Sequence, residues 1–431
     1  MNNKAFLIVY YASLLLLLIV TWANTSLAPL LVRILYMGLV FIPLISNEIL
    51  FAPCLILFWA IAHLSLGYSL MPTDSVYYIV ITLFFVALSV RNKKKKVHFP
   101  YPFLITFCLY VLVVNLVTES GLEKVTLTSV LFLLLLFTVS DNISQVTELV
   151  GYAFILVSLI SSGLVFIYRN ILLADYSLDI ERIVTGSLNY SCTTLGIGAV
   201  SALSQALDAR RNKWWRLVCV LTIIISIIAL LLQASRGAIL AVAVAYVAII
   251  YFHKIKFIYK LLTIALIGVF VFCLYEGNYF DLLLSRIQND DSGSHRLEIW
   301  QYKLSTFHNN STVFSYLFGI GLEQTWQLGG SVFSYIGCHN DFVAFYIEYG
   351  IVGIIMFLSL ICYPLVNCPK SSRFQIIPFL LFIIADCISL EPYSIGYAPM
   401  YFLLFYLYLV SANNKEKVLA QQMSNNILKL Y

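Results

Sequence analysis

The 431-residue chain is 61% hydrophobic and only 11% charged, whereas soluble domains carry roughly 25% charged residues. The composition therefore excludes a soluble domain and predicts a polytopic membrane protein. The formal net charge of +5 lies in short clusters beside apolar runs, which is typical of topology signals, so we expect no nucleic-acid partner.

Long apolar runs recur along the whole chain. A run of about 20 apolar residues crosses a bilayer as an α-helix, and the alternating pattern of a membrane barrel is not seen. We therefore predict an all-α polytopic membrane protein with about twelve to fourteen transmembrane helices. The candidate spans lie at about residues 5–23, 29–45, 49–67, 74–90, 100–117, 125–140, 148–168, 188–206, 216–233, 237–253, 258–275, 342–364, 374–390 and 395–411.

The lysines and arginines predict how the chain crosses the membrane. They cluster at about residues 91–96, 210–216, 254–260, 370–373 and 415–417. An even number of predicted spans separates each cluster from the next, so all of them fall on one side, which the positive-inside rule assigns to the cytoplasm. Both termini are then cytoplasmic. The opposite face receives the loops at 118–124, 169–187, 234–236, 276–340 and 391–393.

Several cations fall on this outer face against the rule. They are Arg169, Arg182, Arg236, Arg286 and Arg296, together with His339. Charges placed against the topological preference are costly and usually functional, and the natural ligand of these is an anion. The loop 276–340 is the longest interval without a membrane-grade apolar run, so we expect it to form one wall of an active site.

Arg236 lies in a short break between two strongly apolar spans, in the sequence Ser235-Arg236-Gly237-Ala238. A helix that begins near Gly237 would point its first N–H groups and its positive dipole end to the outer face, and with a guanidinium these form a phosphate site. The alternative is an arginine that snorkels at a helix end.

Two further segments carry outer-face arginines. Arg182 either binds an anion or pairs with Asp179 or Glu181. In residues 292–304, Leu297, Trp300 and Leu304 recur at helical spacing. This spacing predicts an amphipathic helix along the membrane with Arg296 in its first turn.

His339 stands at the water-facing start of a predicted span, in Gly337-Cys338-His339-Asn340-Asp341. A neutral imidazole there can take a proton from a hydroxyl near neutral pH, and Asn340 or Asp341 either caps the helix or orients the ring. The alternative is a structural histidine.

Together these segments resemble the O-antigen ligase and O-antigen polymerase superfamily. The resemblance is specific over about residues 180–355, whereas the first 170 residues match only as generic spans. The segments that carry it are Arg182-Ile-Val-Thr-Gly186-Ser-Leu-Asn189, Ser235-Arg236-Gly237-Ala238, Arg296-Leu-Glu-Ile-Trp300, Phe318-Gly319-Ile320-Gly321, His339-Asn340-Asp341-Phe342 and Glu348-Tyr-Gly350-Ile-Val-Gly353.

The resemblance implies a GT-C-like fold and a metal-independent glycosyl transfer, without a cofactor, on the extracytoplasmic face of a bacterial inner membrane. The donor is a glycan on undecaprenyl diphosphate, and the acceptor is a glycan or a lipid-linked glycan. By the same resemblance Arg236 and Arg296 clamp the donor diphosphate, Arg182 is an auxiliary contact, Asn340 contributes to substrate binding and His339 activates the acceptor hydroxyl. Single displacement then predicts inversion at the anomeric carbon.

The resemblance also implies an organisation of the chain. N-terminal transmembrane helices occupy residues 1–170, a catalytic membrane region with the loop 276–340 occupies 171–411, and a cytoplasmic tail occupies 412–431. Membrane lipids surround the protein, and the resemblance also implies a chain-length regulator and a flippase as protein partners.

Three functions remain open at this point. A polymerase moves the growing chain onto the next lipid-linked repeat unit, and a ligase moves the finished chain onto lipid A core or another acceptor. We favour the polymerase, because repeat-unit polymerases diverge strongly and the chain matches ligases only at the shared segments. A non-catalytic transporter of a lipid-linked glycan is the third reading, but it tends to show paired halves or polar residues at span centres.

Overall fold

A computed structural model describes most of the chain. The described residues are 2–23, 48–64, 100–118, 124–137, 142–172, 188–208, 210–253, 256–281, 295–322, 324–328, 337–389 and 398–428, with residues 35, 38, 39, 120, 283, 284 and 393. Predictions that concern other positions, including Arg182, Arg286 and the lysine cluster at 91–96, lie outside the described residues.

The described part of the chain is helical, and no strand occurs in it. Its helices are α1 (Asn3–Ala23), α2 (Glu48–Leu64), α3 (Tyr101–Val117), α4 (Lys124–Phe137), α5 (Ile143–Leu172), α6 (Leu188–Ala206), α7 (Lys213–Leu232), α8 (Arg236–Phe252), α9 (Phe257–Glu276), α10 (Arg296–Asn310), α11 (Val313–Phe318), α12 (Gln324–Gln327), α13 (Asp341–Asn367), a 3-10 helix (Lys370–Gln375), α14 (Ile377–Ser389) and α15 (Ala398–Leu428).

These helices confirm an all-α polytopic membrane protein. Every predicted span coincides with a described helix except 29–45 and 74–90, which lie largely or wholly outside the described residues. In the described ranges, four helical segments are long and apolar enough to cross a membrane: Ile143–Ile167, Lys213–Leu232, Phe257–Glu276 and Asp341–Asn367. Shorter apolar helices accompany them, and the predicted total of twelve to fourteen stays a prediction.

Most of the described helices share one large hydrophobic core, and smaller buried clusters accompany it. Helix α6 packs against α5, α7 and α8, while α8 also packs along α14, and α13 contacts α3, α11 and α15. By contrast, only 6% of the apolar window of α9 is buried, so in a membrane this helix faces lipid. The segment 412–431, predicted as a tail, continues α15 as a helix as far as Leu428.

Helices α8 and α14 run in opposite directions and connect two ends of the molecule. Gly237, at the start of α8, lies against Ser389, at the end of α14. At the other end, His253 and Pro378 line a common cavity. Helix α8 has 17 residues, and at about 1.5 Å per residue the two ends are roughly 25 Å apart.

Candidate functional site

The α7–α8 junction forms the first part of the site. Ala234 adopts a left-handed conformation with φ of 47°, which turns the chain between the two helices. Ser235 is the N-cap of α8, but its side chain makes no capping hydrogen bond. Since the first N–H groups of a helix have no intrahelical acceptor, α8 presents donors and its positive dipole end here, beside the half-buried Arg236.

Gly237 brings this junction against the end of α14. A Cβ atom at position 237 would lie 2.5 Å from both Cβ and Oγ of Ser389, closer than any real contact, so the approach requires glycine. Gly237 thus allows the two helix ends to pack closely. Its partner, Ser389, lies 152 positions away in the sequence and was not predicted.

Arg296 meets the same end of α14. It is the first residue of α10, and its Nη1 donates a hydrogen bond of 2.5 Å to the carbonyl oxygen of Ser389. A cation at the carboxyl end of a helix also complements the helix dipole. Ser389 therefore contacts both the start of α8 and the guanidinium of Arg296.

Helix α10 attaches the histidine segment to this site. Arg296, Trp300 and Lys303 are spaced by four and three residues and so share one face of the helix. Trp300 Nε1 donates a 2.6 Å hydrogen bond to the carbonyl oxygen of Cys338. The helix was predicted, but its buried residues are Ile299, Lys303 and Phe307, whereas Leu297 of the predicted apolar face is 62% exposed.

His339 lies within electrostatic reach of Arg296 and Lys303. Its backbone is left-handed, with φ of 50°, and its side chain is mostly buried. Burial, and then the positive charges of Arg296 and Lys303, lower the pKa of His339 from 6.5 to about 4. The imidazole is therefore neutral near pH 7 and able to accept a proton.

The two residues after His339 have separate structural roles. Asn340 is the N-cap of α13, and its Oδ1 accepts hydrogen bonds from the backbone N–H groups of Phe342 and Val343 at 3.0 and 3.2 Å. The buried Asp341 instead accepts the backbone N–H of Tyr393 at 3.2 and 3.1 Å. Of the two predicted capping residues, Asn340 is thus the cap, and its predicted role in substrate binding stays a prediction.

A buried polar network under His339 was missed from the sequence. Lys303 is completely buried, and its Nζ donates a 2.5 Å hydrogen bond to the carbonyl oxygen of Thr325. Thr325 Oγ1 in turn donates to Oε1 of the buried Glu348 at 2.9 Å. This network holds the ammonium group of Lys303 in the position from which its charge acts on His339. The sequence gives one signal of it, which is the spacing that places Lys303 on the same helix face as Arg296.

The glycines of the loop pack against a break in α13. Gly350, with φ of 67°, interrupts that helix, which frees the carbonyl groups of the preceding turn. The N–H groups of Ile320 and Gly321 bond to the carbonyl oxygens of Ile347 and Glu348 at 3.1 and 2.9 Å. A Cβ atom at Gly319 or Gly350 would overlap the facing backbone. Gly319 and Gly350 therefore allow the α11–α12 segment to pack directly against the backbone of α13.

Three of the outer-face arginines have no described side chain. Arg182 lies in 173–187 and Arg286 in 285–294, outside the described residues, and nothing is described for the side chain of Arg169. Over the described ranges, no group of three or more His, Cys, Asp or Glu side chains has the arrangement of a metal site.

Similarity to known proteins falls on the same part of the chain. The family model described as O-antigen ligase matches residues 221–358, an interval that includes Arg236, Arg296, His339 and Asn340. No curated protein matches the chain. The match at residues 221–358 supports the resemblance to the O-antigen ligase and polymerase superfamily.

Proposed function

We propose that the chain is a membrane glycosyltransferase that polymerises oligosaccharide repeat units linked to undecaprenyl diphosphate into O-antigen or capsular polysaccharide. The observation that carries the proposal is the meeting of Arg296, the start of α8 and a neutral His339 at one end of the helix bundle. An anion-binding group and a proton acceptor are the two functions that this transfer needs.

The donor diphosphate binds between Arg296 and the start of α8 in this proposal. A guanidinium has five N–H donors in a fork that matches phosphate oxygens. The bond from Arg296 to Ser389 orients the side chain without exhausting this capacity. The helix dipole of α8 and Arg236 add positive potential, and such preorganised donors stabilise charge that develops on the departing phosphate oxygen.

His339 acts as the general base. The acceptor hydroxyl oxygen forms a bond to the anomeric carbon, the bond from that carbon to the phosphate oxygen breaks, and its electron pair leaves with the diphosphate. The hydroxyl proton passes to the neutral imidazole of His339. One displacement inverts the anomeric configuration, so a product that retains the donor configuration would contradict this step.

The acceptor separates the polymerase from the ligase. The family description favours a ligase as the second candidate, because its model is that of the O-antigen ligase. Residues before 221 lie outside the match, and this restriction to the shared segments supports the polymerase. Asn340 and Arg182 are proposed to bind the glycan and the diphosphate, and a chain-length regulator and a flippase are the proposed protein partners.

The orientation and the organisation of the chain belong to the same proposal. The bacterial inner membrane holds the protein with both termini in the cytoplasm and Arg296 facing the periplasm. Arg211 and Lys417 line a cavity at the end opposite to Arg296, which supports this orientation. Residues 1–170 provide N-terminal helices, and 171–411 provide the catalytic membrane region.

A glycan gel on a deletion strain tests the function. Core lipid capped with one repeat unit identifies a polymerase, whereas full-length chains that remain on the lipid carrier, with bare core, identify a ligase. Repeat units that fail to reach the outer face would instead indicate a transporter. Complementation with His339→Ala should reproduce the deletion pattern, and wild-type banding with this variant would overturn the base assignment.

His308→Ala is the matched control for this experiment. His308 lies on the same loop, and its Nε2 contacts Tyr346 Oη at 3.2 Å. It has no proposed role, so its removal should leave the banding unchanged.

A further inference from the structure

A polar cavity lies where the carboxyl end of α8 meets the start of α14, at the end of the bundle opposite to Arg296. Its volume is about 520 Å³, and it is lined by the ends of α5, α6, α8 and α14 and by the middle of α15. His253 and Pro378 place it beyond the carboxyl end of α8 and at the start of α14. The proposed glycosyl transfer uses none of its residues.

Cations outnumber carboxylates in the lining of this cavity. Arg210, Arg211 and Lys417 line it, against Glu148 and Asp208. Asp208 accepts two hydrogen bonds of 2.9 Å from the side chain of Arg210, so its charge is already compensated.

Glu148 is compensated even more completely. It accepts hydrogen bonds from Lys4 Nζ at 2.9 Å, from Tyr152 Oη at 3.0 Å and from Arg211 Nη1. Lys4 does not line the cavity, so it offsets the glutamate from outside. The positive potential of the remaining cations is therefore available to a bound anion.

Two uncharged side chains of the cavity wall, Gln205 and Gln375, have their amide oxygens already engaged. Oε1 of Gln205 accepts from Trp215 Nε1 at 2.8 Å, and Oε1 of Gln375 accepts from Asn414 Nδ2 at 2.9 Å. With the oxygens engaged, both glutamines keep their amide nitrogens for donation.

Two buried nitrogen atoms in the wall lack a hydrogen bond. They are Nε of Arg211 and Nδ1 of His253, and neither has a hydrogen-bond partner among the described residues. Arg211 Nε is 3.9 Å from Asp208 Oδ2, beyond hydrogen-bond distance. Buried polar atoms are nearly always satisfied in native proteins. A ligand that supplies acceptor oxygens would satisfy Arg211 Nε, and also His253 Nδ1 in the tautomer that carries its proton there.

We propose that this cavity binds a phosphate-bearing anion, at a site separate from the donor site. Phosphate supplies several acceptor oxygens and pairs well with arginine. Its source is either the headgroup of an anionic phospholipid or inorganic phosphate in solution. The apolar side chains of Phe374, Phe379 and Val410 also line the cavity, and they offer contact to the glycerol and acyl part of a lipid.

Thermal unfolding of the full-length protein in a zwitterionic detergent tests the proposal, because a ligand that binds only the native state raises the midpoint. Three probes are compared at constant ionic strength: phosphatidylglycerol, phosphatidylcholine and inorganic phosphate. A rise with phosphatidylglycerol alone identifies the lipid source, and a saturable rise with inorganic phosphate, not reproduced by chloride, identifies the soluble ion. No specific rise with either would overturn the proposal.

Variants test whether a rise in the unfolding midpoint comes from binding in this cavity. Arg210→Ala and Lys417→Ala remove exposed cations of the wall and should weaken the apparent affinity for the active probe roughly tenfold each. Lys213→Ala removes a neighbouring exposed cation outside the cavity and should have no effect. Arg236→Ala should also leave the affinity unchanged; if it alone abolished the rise, the probe would occupy the donor site and the proposal would be wrong.

Discussion

The ionisation of His339 gives the sharpest prediction. Its pKa of about 4, against 6.5 for an ordinary histidine, keeps about 97% of the imidazole neutral at pH 5.5, whereas an unperturbed histidine would be about 9% neutral. Of the two ionisation states of histidine, diethyl pyrocarbonate modifies only the neutral imidazole. The modification rate of His339 should therefore stay nearly constant from pH 8 to pH 5.5 and fall by half only near pH 4.

Mass spectrometry of the peptide that contains His339 measures this rate in the full-length protein in detergent. The same peptide from the chain unfolded in denaturant is the control, and its rate should fall with a midpoint near 6.5. Rates are compared as ratios to the pH 8 value of each state, since burial slows the reaction at every pH. If the modification rate in the folded protein instead fell with a midpoint near pH 6.5, burial and the two cations would not lower the pKa of His339.

The same pKa difference affects stability with a definite sign. Below pH 6.5 the unfolded chain takes up a proton at this histidine, whereas the native protein does not until pH approaches 4. The stability that His339 contributes by staying neutral is fully present above pH 6.5. The free energy of unfolding should therefore fall by about 2 kcal/mol between pH 7 and pH 5. His339→Gln should lose less stability over this range than the wild-type protein, as measured by thermal unfolding.

Three substitutions test the supports of the site. Gly237→Ala places Cβ 2.5 Å from Ser389 and should lower stability by about 1–3 kcal/mol with loss of activity; addition of Ser389→Gly should restore part of both. Gly350→Ala, at φ of 67°, should cost more than about 2 kcal/mol in thermal unfolding. The control Gly268→Ala, with no atom within 4 Å of its new Cβ, should be neutral or stabilising. Trp300→Phe removes a 2.6 Å hydrogen bond and should lower kcat roughly tenfold; unchanged kcat would contradict a positioning role.

Much of the helical framework could be predicted, because the signals are local. Apolar runs mark the helices, and the break at Ser235-Arg236-Gly237 marks the end of α7 and the start of α8. The start of α10 at Arg296 also follows from spacing within one segment. These features depend on residues within a few turns of each other, so a single sequence contains the information.

The supports of the site could not be predicted, because they depend on contacts between distant segments. A lysine in an aqueous loop is normally solvated, but Lys303 is buried because α12 and α13 close over it through Thr325 and Glu348. Ser389 looks like an ordinary residue at the end of an apolar span, yet its carbonyl oxygen binds Arg296, 93 positions away. Adjacent Asn340 and Asp341 are equally good caps by type, and only the geometry separates them.

The position of Arg296 beside His339 links donor binding to the strength of the base. In the free protein the charges of Arg296 and Lys303 lower the pKa of His339, in addition to the effect of burial. A bound diphosphate would offset these charges, so the pKa of His339 should be higher in the donor complex than in the free protein. The imidazole then remains neutral without donor and becomes a better proton acceptor once the donor is in place. The pH profile of kcat reports the donor complex, whereas that of kcat/KM reports the free protein. The acidic limb of the kcat profile should therefore lie at higher pH than the acidic limb of the kcat/KM profile.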